Sequence, residues 1–239
     1  MVLSKIGSTL VDAVYPRICP VCRNIVKQRH SDICISCERL LSYVEAPICP
    51  RCGKPVDEDG GYCPDCEKGS HVYDMGRAAL VYDEYMSKSI YAFKYNGKKE
   101  FARFYARVMD ERLGPVIKSW NPDAVIPVPI HKSKLKKRGY NQAALIAKEL
   151  AKRLGMRLRT DIVSRCSATR VQKELNAAAR HNNLKKAFKV TGNVVQLDSV
   201  LIVDDIYTTG ATVDALAACL KGAGVRKVYF AALSIGRGN

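Results

Sequence analysis

The chain lacks any run of about 18 or more apolar residues, so no transmembrane helix is expected. Near its start, Val2-Leu3, Ile6, Leu10-Val11 and Val14 are spaced for one apolar helix face. That stretch has neither the longer apolar run nor the small-residue cleavage site of a secretory signal. The expected location is cytoplasmic, with the N-terminal helix free to contact the inner face of a membrane peripherally or to dock on a partner. Neither G-x-x-x-x-G-K-S/T nor G-x-G-x-x-G occurs, which excludes the two common nucleotide-phosphate loops. Residues 17–68 hold few large apolar side chains, so that region cannot rely on a hydrophobic core alone.

What is present fits a globular protein of 239 residues, 26 % charged and 47 % apolar, long enough for one core plus a small accessory module. The formal charge is +16, and it is unevenly placed. Residues 1–70 balance nine cations against nine carboxylates, while residues 71–239 hold 30 against 14. A basic surplus confined to one region suits a polyanionic partner such as phosphate or nucleic acid, and equally a solvated lysine-rich face.

Eight of the ten cysteines form four C-x-x-C pairs: Cys19/Cys22, Cys34/Cys37, Cys49/Cys52 and Cys63/Cys66. A reducing compartment argues against a disulfide network, and four copies argue against a single redox motif. One short C-x-x-C turn aims two thiolates at one point, and two turns close a tetrahedral shell around Zn²⁺. Ile18-Cys19-Pro20-Val21-Cys22 recurs as Ile48-Cys49-Pro50-Arg51-Cys52, and Cys34/Cys37 recurs as Cys63/Cys66. The repeat predicts two structural zinc sites, Cys19, Cys22, Cys34 and Cys37, then Cys49, Cys52, Cys63 and Cys66, with interleaved pairing as the alternative. Gly53 fits the turn of its knuckle, where a left-handed residue is useful. Each filled site carries roughly two negative charges, which lowers the net charge to about +12.

Beyond a boundary near residue 70 the pattern alternates strands and helices. Val72 to Tyr82 reads as extended, Glu84 to Tyr95 as a helix stopped by Asn96-Gly97, and Phe101 to Ile117 as a longer helix. Ala124 to Val128 and Val200 to Val203 are short buried strands, Gln142 to Leu154 and Ala211 to Lys221 helices, and Lys227 to Ile235 a final strand. Continuous apolar strands alternating with helices predict an α/β fold with a mostly parallel sheet covered on both faces. Such sheets bind ligands where strand ends meet helix N-termini.

Val200-Leu-Ile-Val-Asp-Asp-Ile-Tyr-Thr-Thr-Gly-Ala-Thr212 has that form. The amides and hydroxyls of Tyr207, Thr208, Thr209, Gly210, Ala211 and Thr212 can wrap a phosphate at the positive end of a helix. Gly210 lets the backbone approach closely, and Asp204 and Asp205 supply the acceptors that sugar hydroxyls need. Carboxylates for a ribose beside amides for its 5-phosphate describe a phosphoribosyl site. Residues 88–107 add Lys88, Lys94, Lys98, Lys99, Arg103 and Arg107, interleaved with Tyr91, Phe93, Tyr95, Phe101, Phe104 and Tyr105. That mixture reads as a core helix pair or as a stacking surface for single-stranded DNA. Cys166, Cys219, His30, His71 and His181 read as core, loop, surface or cap residues.

Val200–Thr212 resembles the 5-phosphoribosyl 1-pyrophosphate (PRPP) motif of type I phosphoribosyltransferases. Taken with the cysteine pairs, Lys94-Tyr-Asn-Gly97, Ile126-Pro-Val-Pro129, Arg138-Gly-Tyr-Asn-Gln142 and Asn183 through Phe188, the chain resembles the ComF family over about residues 15 to 236. The resemblance implies a type I phosphoribosyltransferase fold behind a double zinc ribbon, and a role in uptake of transforming DNA beside a helicase or other uptake proteins. It implies that Asp204 and Asp205 hold the ribose hydroxyls, that Thr208 to Thr212 hold the 5-phosphate, and that PRPP arrives with Mg²⁺. In an active enzyme Asp204 and Asp205 would also favour the sugar's developing positive charge. The segment with Ile130, His131, Lys132 and Arg138 corresponds to the pyrophosphate loop, but it lacks a glycine turn before Lys134. Its cations Lys132, Lys134, Lys136, Lys137 and Arg138 suit a pyrophosphate or, with Lys94, a nucleic-acid backbone. Arg170, Gln172, Arg180 and Asn183 match the family in the hood region. No acceptor pocket is legible, so three readings stand: a transferase, a PRPP sensor without turnover, and a single-stranded DNA adaptor.

Overall fold

A computed structural model describes residues 16–28, 31–69, 71–166 and 187–236. The N-terminal apolar stretch, His30, His181 and the hood residues Arg170, Gln172, Arg180 and Asn183 lie outside the described residues. In chain order the elements are α1 (Ile35–Glu38), α2 (Pro64–Lys68), β1 (Met75–Val81), α3 (Glu84–Tyr95), α4 (Phe101–Trp120), β2 (Ala124–Pro127) and α5 (Lys132–Arg138). Then follow α6 (Gln142–Leu154), β3 (Val163–Arg165), β4 (Phe188–Val190), β5 (Ser199–Tyr207), α7 (Ala211–Gly222) and β6 (Lys227–Ile235).

The apolar strands pair in the order β1-β6-β5-β2, every neighbour parallel, while β3 and β4 form a separate antiparallel hairpin. Strand alternation sends Ala79, Val125, Leu201, Val203, Ala231 and Leu233 to one face, in a core shared with Phe93 of α3, Phe104 of α4 and Ile146 of α6. Ala78, Ile126, Val200, Ile202, Phe230 and Ala232 take the other face with Val213, Leu216 and Leu220 of α7. Each such fully buried large side chain contributes about 1.5–3 kcal/mol, which is why the sheet is covered twice. The first cysteine repeat joins the α4 face through Cys19, Ile33 and Cys37, and the second joins the α7 face.

Both open edges of the sheet are covered. Residues 42–44 run antiparallel along β1, with Val44 N donating to Ala79 O at 3.1 Å and Val81 N to Ser42 O at 2.8 Å. Residues 157–159 cover β2 in the parallel sense, Val125 N donating to Arg157 O at 2.8 Å and Arg159 N to Val125 O at 2.9 Å.

The helices begin where their caps dictate: Asp83 accepts from Met86 N at 2.9 Å and Asn141 from Ala143 N at 3.1 Å. Two helices depart from the sequence reading. Helix α4 continues through Pro115 to Trp120, because Ile117 and Trp120 are buried and Trp120 stacks on Tyr229 at 4.9 Å. The segment after Pro129 contains a helix, α5, all of whose side chains are outside the core, so no apolar period marks it.

Candidate functional site

The cysteines gather as sequential repeats. The Sγ atoms of Cys19, Cys22, Cys34 and Cys37 lie within 4.8 Å of one another, as do those of Cys49, Cys52, Cys63 and Cys66. Cys22 Sγ is 3.9 Å from Cys34 Sγ and Cys52 Sγ 3.5 Å from Cys63 Sγ. The edge of a tetrahedron with Zn–S bonds of about 2.3 Å is about 3.8 Å, so both sets fit Zn²⁺. Burial and neighbouring sulfurs push Cys37 and Cys66 each up to about 12, whereas at Cys19 and Cys49 burial is outweighed by backbone donors that lower the pKa, so metal binding displaces protons chiefly from the raised thiols. Four ligands close each shell, which makes these zinc-ribbon sites structural. The repeat extends to the turn geometry: Gly53 has φ +76° and its counterpart Arg23 φ +64°.

The second candidate site lies at the carboxyl end of β5. The strand runs four residues past Val203, because Ile206 and Tyr207 still pair with Ser234 and Ile235 of β6. Thr208 and Thr209 stand exposed, Gly210 turns at φ +82°, and α7 starts at Ala211. Asp204, Ile206 and residues Tyr207 to Val213 line a small cavity of about 50 Å³ over that helix end. The sheet and the turn therefore place one carboxylate beside a run of amides at a positive helix terminus.

The two carboxylates are not equivalent. Asp205 is buried, with Oδ2 2.7 Å from Lys94 Nζ at the end of α3. Asp204 is half-buried and accepts from Asp205 N at 2.9 Å through Oδ1. Burial first, and then the charge of Asp205, raise its pKa, while Lys94 and Arg165 act in the opposite sense. Asp204 thus gains most from a ligand that hydrogen-bonds it or brings positive charge.

Cations face this end of the sheet from three elements. Lys94 belongs to α3, Lys134 and Arg138 to α5, and Arg165 to β3. Partial burial and then repulsion from Arg165, Arg138 and Lys94 lower the Lys134 pKa. Arg165 is itself lowered by burial, against the pull of Asp204. Arg138 is fixed by Gln142 Oε1 at 2.9 Å and Tyr95 Oη at 2.9 Å, with its guanidinium over the Tyr95 ring. Mutually repelling cations held together in this way favour an anion. Lys132, Lys136 and Lys137 point outward from α5, and His131 caps that helix at its start.

Some features were not legible from spacing. Tyr207 contributes only its backbone to the loop rim: its hydroxyl meets Tyr73 Oη at 2.6 Å and its ring stacks on Phe230 at 4.5 Å. A Cβ at Gly210 would lie 2.6 Å from Tyr207 Oη and 3.0 Å from His71 Cε1, so glycine is required by the layer beneath the loop. His71, expected as a surface or cap residue, has its side chain only 7 % exposed there. Among the aromatics of residues 88–107, Phe93, Phe101, Phe104 and Tyr105 are core, whereas Tyr91 and Tyr95 are exposed. A cleft of about 650 Å³, lined by Pro129, Ile130, His131, Asn141 and Arg165 among others, separates α5 from the β3–β4 hairpin. No local sequence signal announces it, because its walls come from segments far apart in the chain.

Comparison with known proteins matches these two regions. The family model of the double zinc ribbon domain matches residues 10–67, and that of the phosphoribosyl transferase domain residues 140–237. Competence protein F of Haemophilus influenzae is 30 % identical over 217 residues, 88 % of this chain and 93 % of that protein. The DNA utilization protein YhgH of Salmonella typhi is 30 % identical over 208 residues, 86 % and 91 % of the two chains. Competence protein ComFC of Bacillus subtilis is 26 % identical over 200 residues, 79 % and 77 %. A hypoxanthine phosphoribosyltransferase structure from Staphylococcus aureus overlaps loosely, with TM-score 0.31 at 17 % identity over 56 % of this chain and 62 % of that one. With identity of 30 % sustained across nearly the full length of both proteins, this chain belongs to the competence protein F family.

Proposed function

We propose that this chain binds Mg²⁺-PRPP at the β5–α7 turn and serves the handling of incoming DNA, working on the cytoplasmic side of the membrane. The observation that carries the ligand reading is the half-buried Asp204 beside the exposed Thr208–Thr209 turn at the start of α7. The loop amides and threonine hydroxyls take the 5-phosphate, Asp204 takes a ribose hydroxyl, and Asp205 is paired with Lys94. The pyrophosphate faces Lys94, Lys134, Arg138 and Arg165. Mg²⁺ bound to the pyrophosphate oxygens supplies charge neutralisation for the leaving group. In a transfer reaction the anomeric C–O bond breaks, pyrophosphate departs with the electron pair, and an acceptor on the opposite face of the sugar forms the new bond and gives up its proton.

Titration calorimetry with Mg²⁺-PRPP tests this. Asp204→Asn keeps size but donates where a ribose hydroxyl needs an acceptor, and a lost charged hydrogen bond weakens binding roughly ten- to a hundredfold. Equal affinity for parent and variant, with zinc retained, would refute the assignment.

A second reading, single-stranded DNA on the basic face, is favoured by one feature. The rings of exposed Tyr91 and Tyr95 lie 4.9 Å apart, tilted by 47°, and the Tyr95 ring carries Arg138 beside Lys134. Two exposed aromatic rings flanked by cations suit unpaired bases and phosphates together. Lys94 belongs to the carboxylate pair in this reading, and the DNA cations are Lys134, Lys136, Lys137 and Arg138. Acceptor assays separate the transferase from the sensor: pyrophosphate release requires an acceptor, whereas sensing requires only binding.

A further inference from the structure

Beneath the β5–α7 turn lies a buried brace that connects it to the second cysteine repeat. Asp214, in the first turn of α7, accepts from Val72 N through Oδ1 at 2.7 Å and from His71 Nδ1 through Oδ2 at 2.7 Å. A carboxylate can only accept, so Nδ1 carries the proton in this contact. The His71 ring stacks on Tyr73 at 4.7 Å, and Tyr73 Oη meets Tyr207 Oη at 2.6 Å. The Tyr207 hydroxyl and the His71 ring form the surface against which Gly210 packs. Three residues, His71, Tyr73 and Asp214, thereby fix the height and tilt of the turn.

The same segment is gripped from the ribbon side. Arg51 sits between Cys49 and Cys52, and its guanidinium donates to His71 O at 2.9 Å and Tyr73 O at 3.5 Å. Its carbonyl accepts from Gly76 N at 2.8 Å. Residues 71–76 are therefore held at both ends by the knuckle of one four-cysteine centre and touch the anion turn in the middle. His71 Nε2 is buried without a hydrogen-bond partner. An unsatisfied buried nitrogen costs about 1–3 kcal/mol, so the ring is kept there for what Nδ1 does. Asp214 explains the need: the His71 and Val72 donors occupy both of its oxygens, which fixes the carboxylate beneath the turn.

We propose that His71 is a positioning residue for the anion turn, and that through Arg51 it couples the second four-cysteine centre to ligand binding. The inference rests on the phosphoribosyl reading above. Coupling between two sites is reciprocal, so a ligand bound at the turn must tighten the metal in the second centre.

Two measurements on the zinc-loaded chain test it, each with Mg²⁺-PRPP as the probe. In calorimetry His71→Ala should bind at least about tenfold more weakly than the parent, and His71→Asn, whose amide reaches the same carboxylate, should recover most of that loss. Elemental analysis should find equal zinc in all three. In the second measurement, chelator-driven zinc release from the parent should show one of the two metals slowed several-fold by Mg²⁺-PRPP, a protection absent in His71→Ala. Parental affinity in His71→Ala overturns the positioning role. Binding without protection of either metal overturns the coupling, and needs no variant to establish. A parent that does not bind Mg²⁺-PRPP overturns the phosphoribosyl reading itself, and this inference with it.

Discussion

Replacing Lys94 with methionine removes the ammonium that lies 2.7 Å from Asp205 Oδ2 while leaving most of the side chain's volume. The pair is well shielded, with side-chain exposures of 19 % for Lys94 and 10 % for Asp205. Breaking a buried pair from one side costs about 3–5 kcal/mol, because the remaining charge stays buried without compensation. Lys94 keeps about a fifth of its exposure, so the low end, about 3 kcal/mol, is the expected loss. Urea unfolding of the zinc-loaded protein, followed by far-ultraviolet circular dichroism, measures it. Lys94→Met combined with Asp205→Asn should recover much of the loss, since neither partner is then left ionised and alone. The reasoning fails if Lys94→Met costs less than about 1 kcal/mol, the range of a solvated surface pair.

Other perturbations separate the remaining parts of the account. Gly210→Ala forces a Cβ against Tyr207 Oη at 2.6 Å and a left-handed φ of +82°, so thermal unfolding should show a loss of about 1–3 kcal/mol; parental stability would contradict the packing. Tyr73→Phe strands the Tyr207 hydroxyl and should cost about 1–2 kcal/mol, whereas Tyr73→Phe with Tyr207→Phe should lie closer to the parent. Cys49→Ser should leave one zinc per chain by elemental analysis, because the four-cysteine sets are sequential; loss of both metals would point to interleaved ligands. Neutralising Lys134, Lys136, Lys137 and Arg138 should flatten the salt dependence of single-strand binding by about 0.7 per contact, and an unchanged slope would place the DNA elsewhere.

The elements legible in the sequence are those whose signals are local. Helices α3 and α6 match their expected spans because Asp83 and Asn141 cap them and Asn96 and Gly155 end them. The cysteine sets were legible from a repeat, since metal ligands on short turns leave a fixed spacing. Strand β5 was longer than its apolar run, because pairing with β6 continues after Asp204 interrupts the pattern. Helix α5 and the β3–β4 hairpin gave little signal: one has no buried side chain, and the other is three residues a strand. The brace was invisible for a different reason. His71 and Asp214 are 143 positions apart, so only the folded chain shows that they meet.

The central claim is that the turn from Thr208 to Thr212 holds a phosphate, and a crystal structure with Mg²⁺-PRPP tests it most directly. The account predicts a 5-phosphate within hydrogen-bond distance of the backbone nitrogens of Thr209 to Thr212, with Asp204 on a ribose hydroxyl. A phosphate seated elsewhere, or a turn without ligand at saturating PRPP, would contradict it.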